Sequence, residues 1–296
     1  MQRNLVILAL GAIVLVGLPS CSTTPSVLPP PTATPGASNP QAAIRSGSSS
    51  STVDFLRTLK TAYESTSGTE QITLLEPGQS ENIVAGVKQE LVDVGVISRR
   101  LKPEENDASL AFHEVAQDAL LVATHSSVTG VKNLTTENLK AIYSGSVTNW
   151  KQLGGPDAPI VVLDRPEDET AKRLLRKHYL GQDLQNAPNA IVLRKEGELI
   201  QAMQSIPYSI GAFSLAYAIT HNLPVNRLSL NDVAPTPANL KTGQYLMARE
   251  IGIVWSKNAA ETTQAFVDYI FSKPGIEAIE QAGFIAAPQT AELQEK

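Results

Sequence analysis

The 296-residue chain has one cysteine, Cys21, so no intrachain disulfide can form. Aromatic residues are only 5% of the composition, no run of Lys or Arg occurs, and the net charge is a mild −5. These features argue against a nucleic-acid surface. After Thr24 no apolar stretch is long enough to span a bilayer. Catalytic signatures are missing as well. There is no Gly-x-Ser-x-Gly elbow and no phosphate loop, and His113-Glu114 is not followed by a second histidine at helical spacing. The four histidines, His113, His125, His178 and His221, are scattered, and each reads as a surface or satisfied polar residue.

The lone cysteine is informative by its place. Arg3 gives a positive start, Leu5 to Leu18 is apolar but too short to cross a bilayer comfortably, and Ser20 is the small residue before Cys21. Residues 1–20 are therefore expected to be a lipoprotein signal peptide, with Cys21 the acylated first residue of the mature chain. Several acyl chains on one residue suffice for stable anchoring. Residues 21–42 are rich in Pro, Ser and Thr and have almost nothing to bury, so they read as an extended tether. The expected location is the cell envelope, on the membrane and facing the periplasm or the exterior.

About 250 residues remain, enough for one large or two small cores. Strand and helix signals alternate through them. Val53, Phe55, Leu56, Leu59 and Tyr63 recur at helical spacing, as do Ile83, Val84, Val87 and Leu91. Short apolar runs at 92–97, 119–124, 160–163, 190–193, 210–213 and 251–255 read as strands. Thr135 reads as a helix N-cap, with Leu134 and Leu139 at staple spacing and Gly145 as the stop. Phe266, Ile270, Ile276 and Ile279 mark two helices expected to break at Pro274-Gly275. Such alternation implies an α/β architecture with helices over a mainly parallel sheet.

Four polar clusters stand at strand-to-helix junctions: 46–52 (Ser-Gly-Ser-Ser-Ser-Ser-Thr), 78–82 (Gly-Gln-Ser-Glu-Asn), 98–100 (Ser-Arg-Arg) and 164–170 (Asp-Arg-Pro-Glu-Asp-Glu-Thr). Free N–H groups at a helix start beside hydroxyls make a cradle for an anion. In open α/β sheets, ligands sit outside the carboxyl ends of strands. Ser, Thr and Asp also cap helices in any protein, so each cluster alone has a plain structural reading.

Thr148-Asn149-Trp150-Lys151 followed by Gly154-Gly155-Pro156, the stretch from Ser98 to Glu105, and that from Ile210 to Tyr217 together resemble the phosphate-binding proteins of ABC importers. The resemblance runs over roughly residues 43–290. It implies a type II periplasmic binding protein fold, with two α/β lobes and a ligand cleft between them. Lobe 1 is expected to comprise 43–120 and 222–296, and lobe 2 to comprise 121–221. It also implies convergence of the four clusters on one cleft, with Ser49, Ser50, Ser80, Ser98, Arg99, Arg165 and Thr170 as ligand contacts and with no catalytic residue, metal or organic cofactor. The arginines would supply charge-assisted bonds in fork geometry.

Departures from the family pattern concentrate at the fourth cluster. Where relatives carry a Gly-Ser-Gly-Thr-like stretch after the arginine, this chain has Glu167-Asp168-Glu169-Thr170. Carboxylates facing a bound anion would oppose it by about 4 kcal/mol per charge pair at 4 Å. The alternative placement is outward, compensating the helix dipole. Some relatives place a proton-accepting aspartate where this chain has Ser98, and its absence favours a fully ionised or different oxyanion, or looser discrimination. Gln79 adds bulk to the second loop.

The leading expectation is a lipid-anchored solute-binding protein of an ABC importer that is not an enzyme. It would bind an inorganic oxyanion, phosphate first, act as a monomer, dock on a permease in the inner membrane and hold lipid through Cys21. The other reading is a sensor or interaction module on the same scaffold, with altered or lost anion binding.

Overall fold

A computed structural model describes residues 43–67 and 71–288. The expected signal peptide, Cys21 and the tether lie outside the described residues. The folded body, 41–296, forms one compact unit. Among the described residues no helix is long and apolar enough to cross a membrane.

The strands are β1 (Ile44–Ser48), β2 (Ile72–Leu74), β3 (Val94–Ile97), β4 (Leu110–His125), β5 (Asn133–Leu134), β6 (Val161–Asp164), β7 (Ile191–Val192), β8 (Ser209–Ser214), β9 (Val225–Arg227), β10 (Ser229–Leu230), β11 (Ala248–Ser256) and β12 (Ile285–Ala286). The helices are α1 (Val53–Ser67), α2 (Ser80–Lys88), α3 (Thr136–Ser144), α4 (Thr170–Leu175), α5 (Glu196–Ser205), α6 (Leu215–Thr220), α7 (Pro237–Lys241), α8 (Glu261–Phe271) and α9 (Lys273–Gln281). Strand and helix alternate as the periodicity implies, and the polar clusters fall where a strand hands over to a helix.

The sheet runs β2-β1-β3-β11-β4-β8-β6-β7. It is mixed, whereas the sequence pattern implied mainly parallel pairing. β1 pairs in parallel with β2 and β3, and β6 with β7 and β8, but β11 is antiparallel to both β3 and β4. The cause is the path of the chain. β4 pairs with β11 along Leu110–Ala119 and then with β8 along Leu120–Thr124, so it passes from one half of the sheet into the other, and β11 brings the chain back.

Burial follows the same division. On one half, Phe55, Leu56 and Leu59 of α1 pack with Phe266, Val267 and Ile270 of α8 against Val94 and Val96. The opposite sheet face meets α2 through Ile83, Val84, Val87, Ile97 and Val254. This two-residue alternation along β3 is the strand period, and it buries both faces. The other half has its own core, including Leu121, Trp150, Leu163, Leu199 and Phe213. Leu228, Leu230, Leu240, Tyr245 and Met247 also join that core, beyond the boundary expected at 221.

Local signals explain several elements. The Thr135 side chain accepts from the N–H of Asn138 at 3.2 Å, and Gly145 closes α3 in the left-handed region at φ 78°. Trp150 is fully buried and donates its indole N–H to the Tyr208 carbonyl at 2.9 Å, so the Asn-Trp-Lys stretch fastens the second core. The break between α8 and α9 falls at Ser272, not at Pro274-Gly275. Proline lacks an N–H and is tolerated in a first turn, where Pro274 sits. A Cβ at Gly275 would stand 2.2 Å from the Tyr269 carbonyl oxygen, so the two helices meet across a bare backbone.

Candidate functional site

The loops after β1, β2, β3 and β6 meet at the carboxyl ends of their strands. Backbone bonds hold the first two together: Gly78 N–H donates to Ser48 O and Ser50 N–H to Gly78 O, both at 3.0 Å, while Ser49 N–H donates to Val96 O at 2.9 Å. The Ser49 and Thr52 hydroxyls lie 2.8 Å apart, and Thr52 also donates to Val96 O at 3.1 Å. The start of α1 is thereby locked against β3. α2 begins directly at Ser80, after Gln79. Orphan N–H groups of these two helix starts are thus brought to one place.

Ser49, Ser50, Ser80, Ser98, Arg99 and Thr170 all line one small polar cavity, joined by Gly78, Gln79, Glu81, Asp168, Glu169 and Arg173. The enclosed space is about 10 Å³, so the facing walls touch each other. Ser98 Oγ lies 3.3 Å from Thr170 Oγ1, which in turn donates to Ser98 O at 3.2 Å. Arg173 donates to Thr170 Oγ1 at 3.0 Å.

Arg165 is the one expected contact that does not line this cavity; it lies against two residues that do, Ser50 and Glu169. Its side chain is only 3% exposed. The loop is held from below: Asp164 accepts from the Arg165 N–H at 2.8 Å and ion-pairs with the buried Lys172, which also donates to Asn186 Oδ1. Arg165 Nη2 reaches Ser50 Oγ at 3.5 Å and Glu169 Oε2 at 2.8 Å. Arg165 Nε and Nη1, and Glu169 Oε1, are buried with no hydrogen-bond partner. Buried polar groups without partners are rare and expensive, and in a cleft they point to a ligand.

The acidic stretch divides. Glu167 turns away and takes the Arg176 guanidinium in a fork at 2.7 and 2.9 Å. That bond, outweighing partial burial, holds its carboxyl down at about 2. Asp168 pairs with exposed Arg194 at 3.0 Å. Glu169 turns in. It stands at the N-cap of α4 but its side chain makes no capping bond, being spent on Arg165.

Arg99 lines the cavity with its charge already met. Glu105 grips it through two bonds of 2.6 Å, and Glu81 lies 3.2 Å away. Burial pushes Glu81 up, but the Lys102 hydrogen bond and the charges of Arg99 and Lys102 prevail, leaving it at about 2. Arg99 thus shapes the rim, and of these two arginines Arg165 is the one with unpaired N–H groups.

Sequence reading passed over Glu105, Arg173 and a buried triad behind the cavity. Arg249 of β11 donates to Asp118 of β4, its register partner, and to Glu196 at the start of α5, at 2.5 and 2.6 Å. Burial raises the Asp118 carboxyl despite Arg249. The available signal was a charge, Asp118 or Arg249, at the edge of an apolar strand run, which needs a partner when buried. The histidines stay apart from the cavity: His113 stacks on Trp255, His221 on Tyr217, and His125 bonds Ser127. Among the described residues no group of three or more His, Cys, Asp or Glu is placed to hold a metal.

Two α/β halves joined by two crossing strands, with strand-end loops facing each other across a polar cleft, define a type II periplasmic-binding-protein-like fold. The family model for a PBP superfamily domain matches residues 33–274, and the chain belongs to that family. The phosphate-binding protein PstS of Borreliella burgdorferi is 28% identical over 250 residues, which cover 81% of this chain and 88% of that protein. A crystal structure of a Clostridium perfringens protein assigned as a phosphate ABC transporter substrate-binding protein, with bound phosphate, superposes with a TM-score of 0.72. It is 25% identical and covers 83% of this chain and 100% of its own. An ABC-type phosphate transport receptor from Vibrio cholerae shares the fold at a TM-score of 0.61 and 24% identity, covering 83% of this chain and 100% of its own.

Proposed function

We propose that this protein is the extracytoplasmic phosphate-binding component of an ABC importer. The observation that carries this reading is Arg165: a buried guanidinium with unpartnered Nε and Nη1, whose Nη2 reaches Ser50 and Glu169, two residues that line the polar cavity. An oxyanion supplies the acceptors that these donors need. The similarity to the Borreliella and Clostridium proteins supports phosphate as that oxyanion. Ser49, Ser50, Ser80, Ser98 and Thr170 are the proposed hydroxyl contacts, Arg165 the proposed charge, and Arg99 a proposed rim contact. Since the enclosed space is far smaller than a phosphate ion, entry requires the lobes to part. Binding then draws the open and closed forms by its difference in affinity for them. We place the return crossing at β11, near residue 248, on the packing of Leu228 to Met247. The acylated Cys21, the 21–42 tether, the permease partner and the monomeric state belong to the same proposal, resting on the sequence pattern and the family resemblance.

The test is a calorimetric titration of the 41–296 fragment, refolded to strip carried ligand, with phosphate, sulfate, molybdate, tungstate and arsenate. Saturable phosphate binding is expected, with a melting point raised by several degrees at 100 times the dissociation constant, where ligand adds about 2.7 kcal/mol. Silence across the panel overturns it. One observation favours the second reading, a sensor or partner-binding module: Glu169 already neutralises Arg165. Silence in the titration would move that reading to first place.

A further inference from the structure

We propose that Arg173 is a second charged contact for the bound oxyanion and the source of the site's surplus positive charge. This rests on the oxyanion reading of the cleft. Five charged side chains line the small polar cavity: Glu81, Arg99, Asp168, Glu169 and Arg173. Four of them are matched by an opposite charge close by. Glu81 meets Lys102 at 2.8 Å, Arg99 meets Glu105 at 2.6 Å, Asp168 meets Arg194 at 3.0 Å and Glu169 meets Arg165 at 2.8 Å. Behind the second wall, Lys172 with Asp164 and Arg176 with Glu167 cancel in the same way. Among the described residues no carboxylate pairs with Arg173. Its bonds go to uncharged oxygens: Nη2 donates to Thr170 Oγ1 at 3.0 Å, and Nη1 to the Asp168 carbonyl. The charge that the cavity keeps is therefore that of Arg173.

The placement has a local cause. Thr170 opens α4 and Arg173 stands three residues on, so the two side chains share one helix face. Thr170 Oγ1 lies 3.3 Å from Ser98 Oγ of the facing wall, so Arg173 Nη2 stands one hydroxyl away from the seam between the walls. The two bonds use two of the five N–H groups of a guanidinium. When the walls part, an anion oxygen that enters between Thr170 and Ser98 comes within reach of the same fork. Glu167-Asp168-Glu169 puts acceptors on this wall, and Arg173 gives a charged donor back to it. The arginine is exposed, so its pull on the anion is open to screening by salt.

The experiment is calorimetry on the full-length protein in detergent, with inorganic phosphate as the titrant at low and at high salt. Arg173→Gln keeps N–H donors but loses the charge, and should weaken phosphate binding by about 10- to 100-fold at low salt. The loss should shrink at high salt. Arg173→Lys keeps a point charge and should recover most of the affinity. Lys177→Gln, an exposed cation of the same half that does not line the cavity, should leave the affinity unchanged. Melting points of the ligand-free variants should match the wild type, as surface substitutions do. Unchanged phosphate affinity in Arg173→Gln, with the wild type binding, overturns the inference alone. Equal losses in the glutamine and lysine variants would make the residue a bracket for the 168–170 loop and overturn it too. A wild type that binds no phosphate removes the oxyanion reading, and this inference with it.

Discussion

At the scale of the residue, the site depends on which charges are already spent. Arg99 and Arg165 look equivalent in the sequence. Arg99 is held in a fork by Glu105, whereas Arg165 shares one nitrogen with Glu169 and keeps two unpartnered. Arg165→Ala should therefore abolish phosphate binding, while Arg99→Lys weakens it modestly through the shape of the rim. Calorimetry on the pair separates the roles, and equal losses would contradict the division. Arg165→Ala also strands the Glu169 carboxylate. Removing one member of a buried pair costs at most about 3–5 kcal/mol, less here if parting lobes rehydrate the survivor. The double variant Arg165→Ala/Glu169→Ala should recover most of that loss in a denaturant melt, as a double-mutant cycle would reveal. The pH dependence has a worked sign. Glu81 and Glu167 fall from an ordinary 4.5 to about 2 in the folded protein. Their contribution to stability is therefore full above 4.5 and is lost as pH falls toward 2. Both are partly exposed, so the loss is small and screened by salt. Glu167→Gln should flatten the acid limb of the melting-temperature profile, and an unchanged limb would discount the Arg176 fork.

At the scale of the element, caps and close approaches carry local energies that can be measured one at a time. Thr135→Ala removes the N-cap of α3 and should cost about 1 kcal/mol in a urea melt, with no change in ligand affinity. Gly95 sits on the face of β3 beneath α2, where an added Cβ would stand 2.7 Å from Ile83 Cγ2 and 2.9 Å from Val254 Cγ1. Gly95→Ala should overpack that layer and cost about 1–3 kcal/mol. A neutral effect would mean that α2 can shift outward on the sheet. The contrast between the two helix boundaries shows where local reading succeeds. Thr135 and Gly145 bound α3 through bonds made within the element itself. Ser272 ends α8 and starts α9 by a local bond as well, its hydroxyl accepting from the Gly275 N–H, a cap that the Pro274-Gly275 pair drew attention away from, and Pro274 is tolerated in the first turn.

At the scale of the whole molecule, β4 and β11 pass between the two halves of the sheet, and the Arg249–Asp118–Glu196 triad ties them to α5. Asp118 and Arg249 sit on these two strands and Glu196 on α5, so one guanidinium fastens three elements. Arg249→Ala leaves two buried carboxylates facing each other and should cost about 3–5 kcal/mol or abolish folding. A melting curve close to wild type would show that water reaches this position. Closure itself predicts a smaller radius of gyration by small-angle scattering when phosphate is added, and an unchanged radius would mean that the free protein is already closed.

The sequence by itself determined the alternation of strand and helix, the caps of α3, the polar clusters at strand ends and the hydrophobic faces of α1 and α2, because each depends on residues within a turn or two. It also carried the family resemblance in Asn149-Trp150-Lys151, a stretch that fastens the core of the second half through the Trp150 indole and does not line the polar cavity. Only the tertiary structure decided that the sheet is mixed, that Leu228 to Met247 pack with the second half, and that Glu167, Asp168 and Glu169 point three different ways. The reason is physical. A charged side chain takes its direction from the nearest unpaired opposite charge: Arg165 stands at i,i+4 spacing from Glu169, whereas Arg176 and Arg194 reach Glu167 and Asp168 by the fold of the chain, not by a spacing that helix or strand periodicity encodes.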